Sequence, residues 1–138
     1  RQYIPLSYPA VANLDVTNAL IESAVRSGKN WHSGIIHCKD AFYIESEKGS
    51  RPLPMREYND MLWKVWKGGN ALVTSMESSA LFVVSSIRKL YAGEILAVIG
   101  DTRSKKLVVE KGCVEDAIKI AIEAVKILDA DRRRVVKT

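Results

Sequence analysis

Residues suited to binding a small polar molecule follow three short apolar runs of the sequence. Phe42 follows the first run, Glu77 the second, and Asp101 and Arg103 the third. A carboxylate such as Glu77 can accept two hydrogen bonds from a sugar diol. Asp101 stands at the end of an apolar run, where a polar side chain needs a hydrogen-bonding partner or a ligand.

Each of these residues also has an ordinary structural explanation. Glu77 falls in the first turn of a predicted helix, where the helix dipole stabilises a negative charge by about 0.5 kcal/mol. Asp101 can form an Asx turn as the chain leaves a strand, and Phe42 can close an edge of the core. The residues alone therefore leave both interpretations open.

The elements that would position these residues alternate between strands and helices. Short apolar runs predict strands, and apolar residues at helical spacing predict helices. Asp15 is the predicted cap of the first helix and Gly28 its predicted end. Glycines are also predicted to end the second and third helices. The predicted strands are residues 32–38, 71–75 and 94–100. The predicted helices are residues 15–27, 55–67, 76–91 and 114–128. The spacing predicts that Tyr58, Met61, Leu62 and Val65 of the second helix face inward. The apolar face of the last helix is predicted from the residues that recur at helical spacing: Val114, Ala117, Ile118, Ala121, Val125 and Leu128.

This alternation predicts an α/β fold with a mixed, mainly parallel sheet flanked by helices, because strands separated by helices need crossover connections. Ligands bind beyond the carboxyl ends of the strands in such sheets. We therefore expect Phe42, Glu77, Asp101 and Arg103 to converge on one rim of the sheet.

Composition narrows the class of protein. The chain has 138 residues, of which 47% are apolar and 27% charged, so it can form one domain with a core and is not intrinsically disordered. The longest uncharged apolar stretch, residues 80–87, is far shorter than the ~20 residues of a membrane span. We find no secretory signal at its start, and two cysteines make no disulfide framework, so we expect a cytoplasmic protein.

The net charge of +5 does not by itself predict a nucleic-acid partner. A nucleic-acid binder concentrates basic residues in a stripe with aromatic residues among them. The dense basic run of this chain is residues 132–134, which we interpret as part of a solvated tail, residues 132–138, past the last helix.

No metal or cofactor is predicted. His32 and His37 are five residues apart on one predicted strand, so they would point to opposite faces and could not share a metal ion. The sequence has neither a P-loop nor a G-x-G-x-x-G fingerprint. Trp31, Trp63 and Trp66 are assigned to packing.

Three segments together resemble a known family. They are residues 3–12 (YIPLSYPAVA), 34–43 (GIIHCKDAFY) and 75–82 (SMESSALF). The chain is similar, from about residue 3 to residue 129, to the C-terminal half of the uridine phosphorylases in the hexameric nucleoside phosphorylase family. The resemblance implies phosphorolysis of an N-glycosidic bond, with inorganic phosphate as co-substrate and no cofactor.

The resemblance also implies roles for individual residues. Met76 and Glu77 would bind the ribose, and Phe42 would pack on the nucleoside. Uridine phosphorylases read the uracil edge with a glutamine and an arginine from the next loop; Arg51 is the candidate arginine here. Glu45 or Ser46 stands in place of the glutamine, and a carboxylate cannot donate to a carbonyl oxygen unless it is protonated, so uracil specificity stays open.

A second departure concerns the residues that would act on the leaving base. Uridine phosphorylases carry an asparagine in the region that corresponds to residues 100–103, whereas the purine enzymes carry an aspartate that protonates the leaving base. Asp101 therefore keeps a purine nucleoside phosphorylase as an alternative, and Arg103 could stabilise either an anionic uracil or that aspartate. A non-catalytic nucleoside-binding or subunit-association domain is the other alternative.

The family resemblance further implies a longer chain and a homo-oligomer, a hexamer built as a trimer of dimers. In the family, the Gly-rich loop and the arginines that bind phosphate belong to the N-terminal half. The 138 residues of this chain hold no counterpart of that loop or of those arginines. We therefore expect residues 1–131 to be the C-terminal half of a single domain. The 138 residues alone should be inactive.

Overall fold

The computed structural model describes residues 4–40, 56–101, 106–107 and 111–135. They form two compact units, one spanning Ser33–Ser79 and the other combining Arg1–His32 with Ala80–Thr138. Four helices and four strands are found among these residues. In chain order they are α1 (Leu14–Ser27), β1 (Ile35–Cys38), α2 (Arg56–Gly68), β2 (Ala71–Ser75), α3 (Ser78–Ile87), β3 (Gly100–Asp101), β4 (Lys106–Leu107) and α4 (Lys111–Val135).

The unit Ser33–Ser79 is built around a parallel pair of strands. β1 and β2 pair in parallel, with His37 opposite Thr74 and Cys38 opposite Ser75. The helix α2 lies between the two strands in sequence, as a parallel connection requires. The predicted parallel pairing of the first two strands is therefore confirmed, although β1 begins three residues later than predicted.

The side of α2 that contacts the sheet is set by its tryptophans. The His37 ring of β1 lies 4.9 Å from the Trp66 ring, in a stacked arrangement, and 5.9 Å from the Trp63 ring. Large aromatic rings at this spacing share one face of a helix and dominate the area that it buries. Three residues predicted to face inward are instead about half exposed: Tyr58, Met61 and Val65.

The two histidines do not share a strand. His37 lies in β1, but His32 precedes it, because β1 begins at Ile35. The prediction that His32 and His37 lie on opposite faces of one strand is therefore wrong. Across the described part of the chain, no three His, Cys, Asp or Glu side chains are grouped as a metal ion would need.

In the other unit, α1 packs on α4 through small side chains. Ala19 and Ala124 are buried where the helices meet, and Ile127 completes this core. The Ser23 hydroxyl of α1 donates a 2.8 Å hydrogen bond to the carbonyl of Ile120 in α4. The buried residues of α1 are all small (Ala19, Ser23 and Ala24), whereas α4 buries Ile120 and Ile127 beside Ala124.

The first helix begins at a different cap from the predicted one. Asn13 is the N-cap, and its side-chain oxygen accepts a 3.1 Å hydrogen bond from the Val16 amide. Asp15 lies in the first turn, where its charge still favours the helix dipole. Gly28 ends the helix in the left-handed conformation (φ 66°), as predicted.

The last helix buries a different face from the predicted one and is longer. Val114, Ile118 and Val125 are exposed, whereas Ile120, Ala124 and Ile127 are buried. The helix is apolar around more than one face, so its periodicity could not say which face α1 covers. It also continues through residues 132–134 to Val135, so the basic run is not a tail past the helix.

Residues 94–100 do not form the predicted third parallel strand. Of these residues only Gly100 enters a strand, β3, which pairs antiparallel with β4. Val98 and Ile99 are more than half exposed. An apolar run becomes a strand only where a neighbour supplies backbone hydrogen bonds, and no described strand pairs with residues 94–99.

The helix α3 is shorter than predicted at both ends. It ends at Ile87, and Lys89 adopts the left-handed conformation (φ 56°). The Leu90 amide then bonds the Ser85 carbonyl at 2.8 Å and the Lys89 amide bonds the Ser86 carbonyl at 3.1 Å, the pattern of a Schellman cap. A lysine ends this helix, and Gly93 lies beyond its end.

Candidate functional site

The candidate site is the bend between β2 and α3. Met76 and Glu77 form this bend at the carboxyl end of β2, and both side chains are exposed. The Glu77 Oε2 atom accepts a 3.0 Å hydrogen bond from the Met76 amide. No other hydrogen bond of the Glu77 side chain is present among the described residues.

Glu77 does not lie in the first turn of the helix, as the sequence predicted. The helix begins one residue later, at Ser78, and its first turn holds no acidic residue. The Ser75 hydroxyl oxygen accepts a 3.2 Å hydrogen bond from the Ser78 amide, which satisfies one of the free amides at the helix start. The Glu77 carboxylate is consequently left to point out of the helix toward solvent.

Two buried serines hold the bend from below. The side-chain oxygens of Ser75 and Ser78 are hydrogen-bonded to each other. Ser78 is only 3% exposed and Ser75 is buried as well. Buried hydroxyls need partners, and here each is the partner of the other.

The end of β1 is tied to the same bend. The Cys38 Sγ atom accepts hydrogen bonds from the Ser79 hydroxyl at 3.1 Å and from the Ser79 amide at 3.4 Å. The Lys39 amide donates to the Ser75 carbonyl at 2.9 Å, which extends the pairing of β1 and β2 beyond the strand ends. The start of α3 is therefore fixed to both strands.

This arrangement suits the binding of a polar ligand with neighbouring hydroxyl groups. A carboxylate has two oxygens that can accept hydrogen bonds, and a vicinal diol has two donors at a matching spacing. Hydrogen bonds to an ionised acceptor are shorter and about twice as strong as neutral ones. The exposed Met76 side chain, beside Glu77, offers an apolar surface to the ring that carries such a diol.

Four of the other five predicted site residues lie outside the described residues: Phe42, Glu45, Arg51 and Arg103. Asp101 is described through its backbone, which pairs with Lys106 in β3 and β4. Since Glu77 and Asp101 belong to different units, their predicted convergence on one rim stays a prediction.

Four residues around the bend were not predicted as site residues from the sequence: Cys38, Ser75, Ser78 and Ser79. Two serines three residues apart at a strand end are a recognisable signal, since hydroxyl side chains commonly accept from the amide at this spacing. The contact of Cys38 with Ser79 has no such signal, because 41 residues separate them.

A groove of about 250 Å³ in the other unit is not a competing site. It lies along α1 and α4 and is lined by charged side chains, among them Glu22, Arg26, Glu123 and Lys126. Arg26 pairs with Glu22, and Lys126 pairs with Glu123 at 3.1 Å. Four of the five charged side chains that line this groove are therefore paired within their own helix; the fifth is Asp131.

Comparison with known proteins identifies the family. Residues 1–129 match the phosphorylase superfamily, and this range includes the bend between β2 and α3. The chain belongs to the phosphorylase superfamily. This membership confirms the family resemblance and, with the alternating elements and the parallel strand pair, the α/β fold class.

Relatives of this phosphorylase-superfamily chain are nucleoside phosphorylases. It is 35% identical to a uridine phosphorylase of Treponema pallidum, over 93% of this chain and 50% of the relative. It is likewise 35% identical to a uridine phosphorylase of Thermococcus kodakarensis, over 99% of this chain and 50% of the relative. A guanosine phosphorylase of Halorubrum lacusprofundi is 30% identical, over 93% of this chain and 52% of the relative. The chain thus spans about half the length of the curated relatives it matches.

Proposed function

We propose that the protein is a nucleoside phosphorylase that cleaves uridine to uracil and ribose 1-phosphate, in pyrimidine salvage, and that this chain carries its base- and ribose-binding part. The observation that carries the proposal is the exposed Glu77 carboxylate at the carboxyl end of β2, in a chain of the phosphorylase superfamily. Uridine phosphorylases among the relatives support uridine as the substrate.

In this proposal the binding residues divide the nucleoside between them. Glu77 accepts hydrogen bonds from the ribose hydroxyls, and Met76 contacts the sugar ring. Phe42 packs on the nucleoside, while Arg51, with Glu45 nearby in sequence, reads the base. An arginine can present two parallel donors to a carbonyl edge, which a lysine cannot.

Asp101 and Arg103 are proposed to act on the base as it leaves. The bond to the base breaks through an oxocarbenium-like transition state, so catalysis depends on charge and position. Negative charge develops on the leaving base, and Arg103 would stabilise it. Glu77 would hold the ribose while positive charge develops on the sugar.

A purine nucleoside is the second candidate substrate. One observation favours it: a guanosine phosphorylase is among the relatives, at 30% identity. In its protonated form, the carboxyl group of Asp101 could donate a proton to a leaving purine base. A non-catalytic nucleoside-binding or subunit-association domain is the remaining alternative.

The partners and location of the protein are also proposals. Inorganic phosphate is the proposed co-substrate, with no metal or organic cofactor, and the protein is proposed to assemble as a homo-oligomer such as a hexamer, with neither nucleic acid nor membrane as a partner. A cytoplasmic location is supported by two free cysteines, Cys38 and Cys113. Across the described ranges, no helix combines the length and apolar content that crossing a bilayer requires.

The reaction is tested by assaying the protein expressed from its complete gene. Uridine and inosine are each supplied with and without phosphate, and free base and ribose 1-phosphate are quantified. We expect base release from uridine that requires phosphate. Base release without phosphate would indicate hydrolysis, and release from inosine alone would indicate the purine enzyme.

The role of Glu77 is tested by the variant Glu77→Gln in the same protein. The variant keeps the size of the side chain but loses its charge and one acceptor. We expect kcat/KM to fall by roughly 30- to 1,000-fold, because losing charged hydrogen bonds in the transition state costs about 2–4 kcal/mol. Glu57→Gln, an exposed glutamate in α2, is the matched control. Normal turnover by a folded Glu77→Gln protein would remove Glu77 from the site.

A further inference from the structure

We propose that Cys38, Ser75, Ser78 and Ser79 are positioning residues that set the preference of the site for ribose over 2′-deoxyribose. We call these four residues the brace. None of them needs to touch the nucleoside; they would act through Glu77. The inference rests on the proposed function, because it takes Glu77 to be the group that binds the ribose hydroxyls.

The first step is that the bend does not hold itself. Met76 and Glu77 belong neither to β2 nor to α3, so the ladder bonds of those elements do not fix them. The single described hydrogen bond of the Glu77 side chain is to the neighbouring residue, Met76. The position of the carboxylate relative to the sheet must therefore come from the residues on either side of the bend.

The second step is that the brace supplies this fixation from both sides. Ser75 is the last residue of β2 and Ser78 the first of α3, and their hydroxyls bond each other beneath the bend. Cys38 adds a connection to the neighbouring strand, because its sulfur accepts from both the hydroxyl and the amide of Ser79. The bend thus lies between two anchored points.

The third step links anchoring to substrate choice. Accepting from both hydroxyls of a ribose needs two carboxylate oxygens at fixed positions, whereas a 2′-deoxyribose offers one hydroxyl fewer. A bend that shifts by a fraction of an ångström loses the second hydrogen bond before it loses the first. Loosening the brace should therefore weaken binding of the ribonucleoside more than binding of the deoxynucleoside.

The experiment measures the ratio of kcat/KM for uridine to that for 2′-deoxyuridine in the protein expressed from its complete gene. Inosine and 2′-deoxyinosine replace them if the purine is the substrate. Two variants loosen the brace, Cys38→Ala and Ser79→Ala. Cys38→Ser keeps an acceptor at the same place, and Cys113→Ser is the matched control, since that thiol lies in the other unit.

We expect the ratio to fall roughly 3- to 10-fold in Cys38→Ala and Ser79→Ala, as the loss of one hydrogen bond would cause. Cys38→Ser should restore most of the ratio, and Cys113→Ser should not change it. Adding Ser79→Ala to Glu77→Gln should lower the ratio no further than Glu77→Gln alone, because the brace acts through that carboxylate.

The failures of the two ideas can be told apart. If Glu77→Gln lowers the ratio but Cys38→Ala and Ser79→Ala do not, the positioning role is overturned and the role of Glu77 stands. If Glu77→Gln leaves the ratio unchanged, the positioning role is overturned, and the role of Glu77 is overturned with it when kcat/KM for both substrates is also normal. Circular dichroism and thermal unfolding identify any variant that does not fold. If Cys38→Ala does not fold, the single variants Ser79→Ala and Cys38→Ser are compared instead, because these two changes disturb the packing least.

Discussion

Glu77 has the two properties that a ligand-binding carboxylate needs: its side chain is exposed, and its backbone is held by buried neighbours. An exposed glutamate on a helix surface has the first property without the second, and its long side chain must be ordered at binding. Here part of that ordering has already occurred in the free protein, because Oε2 is held by the Met76 amide.

The substrate class can be decided at Asp101. If uridine is the substrate, Asp101→Asn should change kcat/KM by no more than about threefold, since no acid is then required at this position. Asp15→Asn, which removes a carboxylate from the exposed start of α1, controls for the loss of charge. A loss of roughly 100-fold or more would instead identify Asp101 as a general acid and favour a purine substrate.

The position of Glu77 could be predicted from the sequence, but its surroundings could not. A strand that runs into a helix start placed Glu77 at the carboxyl end of the strand, although α3 begins one residue after Glu77 rather than before it. Met76 was assigned to the site only through the family resemblance. The bond from Ser79 to Cys38 depends on how two distant segments meet, and no local pattern encodes that.

Among the elements, α1 shows most clearly how one side chain sets a boundary. Asn13 accepts from the Val16 amide through its side chain and from the Thr17 amide and hydroxyl through its carbonyl. The Asn13 amide in turn donates to the Ala92 carbonyl at 2.8 Å. The start of α1 is thereby joined to the segment that follows α3.

We expect Asn13→Ala to lower the free energy of unfolding by about 1 kcal/mol, the usual effect of losing an N-cap side chain. Asn18→Ala makes the same chemical change at an exposed position inside α1. It should be neutral or slightly stabilising, because alanine favours the helix more than asparagine. Denaturant unfolding of the two variants measures the difference, and equal values would show that Asn13 does not act as a cap.

The elements that the sequence predicted best are those whose boundaries are set by adjacent residues. Strand β2 matches its predicted range because Gly69 and Asn70 precede it and the bend at Met76 and Glu77 follows it. The segment 94–99 is the counterexample. Its apolar residues fit a buried strand, but pairing is a property of the neighbouring chain and cannot be read from the run itself.

At the scale of the whole molecule, the outer face of α4 is apolar and exposed. Four residues at helical spacing form what we call the outer stripe, each between 45% and 66% exposed: Val114, Ile118, Ile122 and Val125. The opposite face packs against α1. A continuous apolar surface of this kind is uncommon on a monomer and favours association.

We expect the 138-residue chain, expressed by itself, to self-associate through the outer stripe. The double variant Ile118→Gln with Ile122→Gln should weaken association at least roughly tenfold, because burying one such side chain contributes about 1.5–3 kcal/mol. Lys119→Gln, on the same helix but outside the stripe, is the control. Sedimentation at several concentrations measures the change, and equal association of the variant and the parent chain would exclude the stripe.

The placement of the tryptophans makes the two units separately visible in solution. Trp66 stacks on His37 and Trp63 is tilted against it, both in the unit that carries the candidate site, whereas Trp31 belongs to the other unit. The two longest helices, α1 and α4, belong to the other unit. Indole fluorescence therefore reports mainly on the unit Ser33–Ser79, and far-ultraviolet circular dichroism reports mainly on the other unit. Melting curves that coincide by both signals would mean that the units unfold together, and curves that separate would give each unit its own midpoint.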